Sequence, residues 1–555
     1  MPANIEKISI RELIIELTKG NYALPEFQRD YEWRNNRVKK FLISLYKGYP
    51  CGTFLLWKTT KDKSIMRSDI LPEKTNEVTL ILDGQQRMTS IYGIIYGTQP
   101  KQFCKDAANV FPDFWFNLYT EKIEIYNKTK METPQSRWVS IRQILGWWMN
   151  HDIENIYALY NKYSDSEKYD TPIYHKNIKQ LISILEYEFP TYTIGKDTEL
   201  TDVIAIFDRV NTGGKSLNEA DIAIAKLCGK WDDARRELLK ICTYNDTTGA
   251  ERYKFGLDTM LRMVTIFTTG QPRYNKYFDI MSENITEYAN ALPICQKYLR
   301  NCLDSISQTL GLDSNLPGNN VLASPASLMT MVYYLKLHQG SITATEWSKL
   351  LYWYIQSFLM CRYSNSFILN IATDIKTLNE NKGIDGLIDN LIKDYHGGNK
   401  QGLVVKANDF TGQGMTTSHS YSLLYMLTRH YKSKDFVKGY DIQNAVISPN
   451  ARIEVHHIFP QSILRSLEYK REQIDTIANY ALITSETNKV ISNKAPKDYF
   501  PEYIETISTH WIPISDETLW EYENYERFLT VRRELLAEAA NELLHSLNPE
   551  HPKSL

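Results

Sequence analysis

The chain has 555 residues, 43% hydrophobic and 12% aromatic, which is enough apolar material for two or three cored domains. Its net charge of −2 excludes a globally basic nucleic-acid binder, so any such surface is local. With no run of about 18 apolar residues, a membrane span is not expected. In chain order, "MPANIEKISIREL" lacks the long apolar core of a secretory signal. Ser9-x-x-Glu12 is a capping box opening an apolar helical face. "YALPEFQRDYEW" reads as a loop, with a helix following through about Tyr46, and "GTFLLWK" as a buried strand. "VTLILDGQQRMTSIYGIIYG" goes strand, turn, helix, and "FWFNLYTEKIEIYN" reads as a hairpin. "DVIAIFDRVNTGGKSLNEADIAIAKL" is helix, Gly-Gly turn, helix. From about 230 to 395 the pattern is almost purely helical, and Gly397–Gly402 reads as a hinge. The tail then gives a strand at "IEVHHI", a strand at "YALIT", a helix at "SETNKVI" and a long final helix. The fold class is α+β: an α+β head, a helical middle and a small α+β tail.

Seven cysteines (51, 104, 228, 242, 295, 302, 361) show no C-x-x-C spacing, which fits a reducing compartment. The expected location is the cytoplasm. Cys295 and Cys302 share one helical face and read as core packing rather than a zinc site.

The tail carries the sharpest signal. His456 and His457 stand side by side in a chain with only 11 histidines, and each buried ring nitrogen needs a partner. A hairpin followed by a helix can hold a divalent cation between a strand residue and a helix residue. Phosphodiester hydrolysis needs a base for water and a cation for the developing charge. Two adjacent histidines can divide that work, one as ligand and the other as base.

In the head, Asp83, Gly84, Gln85, Gln86 and Arg87 occupy a strand-to-helix turn, where backbone N–H groups attract anions. Arg87 offers a phosphate fork. Gln28, Arg29 and Tyr31 add to it, in a stretch from 22 to 58 with seven Lys/Arg against three acids and interleaved aromatics. That combination suits a nucleotide or nucleic-acid surface. "NTGGKS" is not a P-loop, because Arg209 stands where the first glycine belongs and a helix precedes it. Arg209 and Asn211 instead flank a flexible turn.

"VHHIFPQS", "ANYALIT" and "TNKVISNK" together resemble an HNH (His-Me finger) nuclease, closest to the C-terminal domain of GmrSD-type modification-dependent restriction enzymes. "LPEFQRDYEW", "ILDGQQRMTSI" and "IFDRVNTGGKSLNEADI" resemble the signatures of that family's ParB-like (ParB/sulfiredoxin-like) N-terminal domain. The resemblance implies three regions: a ParB-like NTPase domain at 1–229, a helical linker at 230–400 and a ββα-metal (HNH) nuclease at 401–555. It implies that His456 and Asn488 are metal ligands, that His457 is the general base and that Asn479 orients the base through its backbone. Asn479 stands 22 positions after His457, a spacing that includes a loop insertion. Lys494, Lys497 and Tyr31 would contact DNA. Gln28, Arg29, Asp83, Gly84, Gln85, Gln86, Arg87, Arg209 and Asn211 would bind or hydrolyse nucleoside triphosphate.

The expected cation is Mg²⁺ or Mn²⁺. An imidazole in place of the carboxylate of many relatives also accommodates a softer ion such as Ni²⁺, Co²⁺ or Zn²⁺. The expected partner is double-stranded, modified phage DNA, with a homodimer as a considered assembly. Two alternatives stay open: a nicking enzyme whose head senses a backbone modification such as phosphorothioate, and a non-catalytic, nucleotide-switched DNA-binding regulator. For Arg362 and Asn370 in the middle region, core packing is at least as strong a reading as a functional role.

Overall fold

The computed structural model describes residues 4–552 except 26–27, 29–30, 61–76, 102, 104–109, 134–135, 166, 211–219, 221–222, 225–226, 228–230, 232–233, 247–248, 275–284, 317–318, 412–418 and 443–452. The chain forms two compact units, Met1–Arg236 and Glu237–Leu555. Among the described residues no helix is long and apolar enough to cross a membrane.

The first unit is built on a five-stranded mixed sheet. Its elements include β1 (Asn4–Ser9), α1 (Ile10–Thr18), β2 (Tyr22–Ala23), α2 (Asn35–Tyr46), β3 (Phe54–Thr60), β4 (Glu77–Asp83) and α3 (Gln85–Tyr96). A small antiparallel sheet of β5 (Phe114–Asn117), β6 (Ile123–Ile125) and β7 (Trp138–Ser140) precedes β8 (Glu188–Ile194). The main strand order is β1-β8-β3-β4-β2. Period-2 alternation puts Phe54 and Leu56 in one core with α1, α2 and α3, while Leu55 and Trp57 meet Val203 and Phe207 of the Leu200–Val210 helix on the other face. The Ser9–Glu12 capping box forms as expected.

The second unit contains the helical middle and the tail. Cys295 and Cys302 are fully buried in the Ile285–Leu310 helix, in agreement with the core reading. Arg362 is also fully buried, its guanidinium held by both oxygens of Asp374 at 2.7 and 2.6 Å, and Asn370 donates to its carbonyl, contacts that fit the core-packing reading. Short hairpins at Thr243–Asn245/Glu251–Lys254 and Asn315–Leu316/Asn319–Asn320 interrupt the helices. In the tail the strand Ile453–His457 pairs antiparallel with Tyr480–Thr484, and the helix Ser485–Ile491 follows at once. The final helix begins at Tyr525, after two 3-10 turns within Glu517–Asn524.

Candidate active site

Strand alternation decides where the two histidines point. His456 faces the core and is 3% exposed, while His457 lies on the opposite, half-open face. His456 Nδ1 stands 2.9 Å from Asn488 Oδ1 on the Ser485–Ile491 helix, and its Nε2 stands 3.4 Å from the Tyr499 hydroxyl. Asn488 Nδ2 donates to Glu454 Oε2 at 3.0 Å, so the amide is turned with its oxygen toward His456. Glu454, two residues before His456, shares its strand face. That spacing was a readable sign, and sequence reasoning missed it. Burial pushes the His456 imidazole down to about 4, so it stays neutral, as a metal ligand must be.

The donor set fits a divalent cation. Two ligands each about 2.1 Å from an ion and at right angles lie about 3.0 Å apart, and the His456 and Asn488 donors are 2.9 Å apart. Among the described residues no group of three or more His, Cys, Asp or Glu is arranged to hold a metal. A cation here would therefore use the amide oxygen, the imidazole and water.

His457 has a different environment. Its Nε2 is 3.0 Å from Asp475 Oδ1, and Gln461 Nε2 donates to the same oxygen at 2.7 Å. Burial lowers the His457 pKa, and the Asp475 hydrogen bond works against that shift. Burial would raise the Asp475 carboxyl, but bonds from His457, Arg471 and Gln461 outweigh it and leave it below its ordinary value. Both Asp475 and Gln461 lie inside the apparent loop insertion, where no pattern marks them.

Asn479 is fully buried and bonds the backbone around it. Its side chain accepts from Phe459 N at 2.9 Å and donates to the carbonyls of Phe459 (3.2 Å) and Ile474 (3.1 Å), and its own carbonyl accepts from Ile458 N at 2.8 Å. It clamps the backbone on either side of the insertion instead of bonding the His457 ring. Lys494 is exposed, and Lys497 is exposed and paired with Glu521 at 3.0 Å.

In the head, Gly84 takes φ +105 at the start of α3, a left-handed conformation open to glycine. A Cβ there would lie 2.2 Å from the Phe54 ring. Arg87 donates to Asp83 Oδ2 (2.8 Å) and to the Cys51 carbonyl (2.9 Å). This guanidinium, expected to be a phosphate fork, is thus engaged inside the fold. Gln28 donates to the β4 carbonyls of Ile81 and Leu82, Gln86 accepts from the backbone of Glu32 and Trp33, and the Tyr31 hydroxyl bonds Ser90 at 2.8 Å. Gln85 is buried. The two head motifs therefore converge, with Gln28, Tyr31, Glu32 and Trp33 bonded to β4 and α3. Tyr31, expected at DNA, packs half-buried against Phe111. Arg209 is exposed at the end of its helix, while Arg29, Asn211 and the Gly-Lys-Ser turn lie outside the described residues.

Residues 10–228 match the model of the GmrSD restriction endonuclease N-terminal domain, and residues 404–539 match that of the C-terminal domain. An uncharacterised protein of Methanocaldococcus jannaschii is 23% identical across 97% of this chain and 98% of its own length.

Proposed function

The chain belongs to the GmrSD restriction endonucleases, a family that acts on DNA, and we propose that it is a metal-dependent, nucleotide-regulated endonuclease that restricts modified foreign DNA. The observation that carries this reading is the split between the two histidines. His456 and Asn488 present two neutral donors 2.9 Å apart on one side of the strand, and His457 turns to the other side with a carboxylate behind it.

His456 and Asn488 would hold the cation, and Glu454 orients the Asn488 amide. The ion, when bound, supplies charge stabilisation at the scissile phosphate. His457 takes a proton from the attacking water. Asn479 fixes the backbone that follows His457, which sets where the ring sits. The strand-strand-helix order supports an HNH-like reading of the tail. Nucleotide regulation rests on the head's resemblance to a ParB-like domain and on the convergence of Gln28, Tyr31 and Gln86 at the glycine-opened N-terminus of α3.

The test incubates the full chain with unmodified, glucosylated and phosphorothioated phage DNAs. Each is run with Mg²⁺ or Mn²⁺, with and without nucleoside triphosphate, beside His457→Ala. The expected result is metal-dependent cleavage of a modified DNA that the variant loses. Equal cleavage by His457→Ala would refute the assignment of the base, and cleavage indifferent to triphosphate would refute regulation by the head.

A further inference from the structure

The segment between His457 and Asn479, which stand 22 positions apart, is more than a tolerated insertion. It contains two short helices, Gln461–Ser466 and Arg471–Ile474, and it delivers Asp475 to the base. Asp475 Oδ1 meets His457 Nε2 at 3.0 Å and Gln461 Nε2 at 2.7 Å, and Oδ2 accepts from Arg471 Nε at 3.1 Å. An ionised carboxylate only accepts hydrogen bonds. The ring hydrogen of His457 therefore sits on Nε2, and the lone pair on Nδ1. Gln461 Nε2 also lies 3.1 Å from His457 Nε2, but both are then donors, and they share the Asp475 oxygen rather than bond each other. The orientation of the Gln461 amide is set from its other end, where its Oε1 accepts from Arg465 at 3.1 Å. Asp475 itself is held from behind, because Asn479 Nδ2 grips the carbonyl of the preceding residue, Ile474. The Tyr480 ring meets the His457 ring edge-on at 4.9 Å and restrains it.

Resting on the reading of His457 as the general base, we infer that Asp475 is a positioning residue that locks His457 in its Nε2–H tautomer and presents Nδ1 to water, with Gln461 steadying the carboxylate. In the step this serves, the water oxygen bonds to phosphorus as its proton passes to Nδ1. The bond from phosphorus to the leaving sugar oxygen breaks, and that oxygen takes a proton from solvent. The imidazolium so formed carries its second N–H against a carboxylate, the arrangement that favours its charge.

The first experiment needs no cleavable DNA. The full chain is labelled with ¹⁵N-histidine, and long-range ¹H–¹⁵N spectra report the tautomer of each ring, with His457 assigned by its disappearance in His457→Gln. The expected pattern is Nε2–H in the wild type and loss of that preference in Asp475→Ala. An Nδ1–H pattern in the wild type, or an unchanged pattern in Asp475→Ala, would overturn the inference. The second experiment is kinetic. Asp475→Asn is expected to lower kcat by about 10- to 100-fold with KM held within about twofold, Asp475→Glu to recover part of the loss, and Asp475→Asn to add nothing in a His457→Ala background. A fall in thermal midpoint or a rise in KM with kcat unchanged would make Asp475 merely structural. If His457→Ala cleaves like the wild type, the base assignment fails. If that variant is inactive while the Asp475 variants are normal, only the present inference fails.

Discussion

Glu454 shows how much one unligated carboxylate can decide. An amide has two nearly equivalent ends, and only a fixed acceptor tells them apart. Glu454 Oε2 takes the Asn488 Nδ2 hydrogen at 3.0 Å, which leaves Oδ1 facing His456. Glu454→Leu removes that acceptor at nearly the same size. Its expected effect is a loss of divalent affinity of about 10- to 100-fold, the usual cost of losing a partner that orients a ligand. Titration of the purified chain with Mn²⁺ by calorimetry measures it, and equal affinity would show that Glu454 does not orient the site. Gly84 makes a parallel case in the head. Alanine there must hold φ +105 and push its Cβ to 2.2 Å from Phe54. Gly84→Ala is expected to cost about 2 kcal/mol or more, from backbone strain and overpacking together. Urea denaturation followed in the head checks this, and an unchanged midpoint would mean that the turn relaxes freely.

The Ser485–Ile491 helix has only seven residues, too short to be stable by itself, so its surroundings must hold Asn488 in place. Asp435 does much of this. It is fully buried and accepts from Thr484 N (2.9 Å), Thr484 Oγ1 (2.8 Å) and the Thr487 hydroxyl, which pins the helix N-terminus where negative charge is favourable. Asp435→Ala leaves these donors buried and unpaired. The expected loss is about 2–4 kcal/mol of tail stability, with Mn²⁺ binding weakened as Asn488 loses its station. Asp435→Asn, which can still accept, should fall between. Full Mn²⁺ affinity in a destabilised Asp435→Ala chain would separate the helix anchor from the site. Elements of this kind explain what the sequence disclosed. The strand, strand and helix around His456, His457 and Asn488 were legible because apolar alternation, a polar helix start and the histidine pair all lie within short windows. Asp435 and Asp475 were not, because they reach their partners across 49 and 18 residues from segments without periodicity. In the head, the Asp-Gly-Gln-Gln-Arg turn was legible as a turn. The engagement of Arg87 was not, since one of its acceptors is a backbone carbonyl at Cys51 that no side-chain pattern announces.

At the scale of the whole chain, two compact units with separate cores predict two unfolding transitions rather than one. Buried histidines make one of them acid-sensitive. His510, in the Glu237–Leu555 unit, is 1% exposed, bonds the Lys434 carbonyl through Nε2 at 2.8 Å and packs against the Phe436 ring. Burial pushes its pKa down to about 4, and the Arg532 guanidinium pushes in the same direction. The folded state thus holds His510 neutral, while the unfolded chain binds a proton near the ordinary histidine value of about 6.5. Its contribution is complete above that value and drains away as pH falls toward about 4. The slope is about 1.4 kcal/mol per pH unit for one such group. His510→Gln keeps a donor for the Lys434 carbonyl and cannot titrate. Calorimetry between pH 7 and 4, in buffers without divalent metal, should therefore show the transition of the second unit shifting less steeply in His510→Gln than in the wild type. The two should differ by up to about one proton taken up on unfolding, most near pH 5 and less toward pH 4. Equal slopes would mean that His510 is protonated in place, with the fold opening locally to admit the charge rather than resisting it.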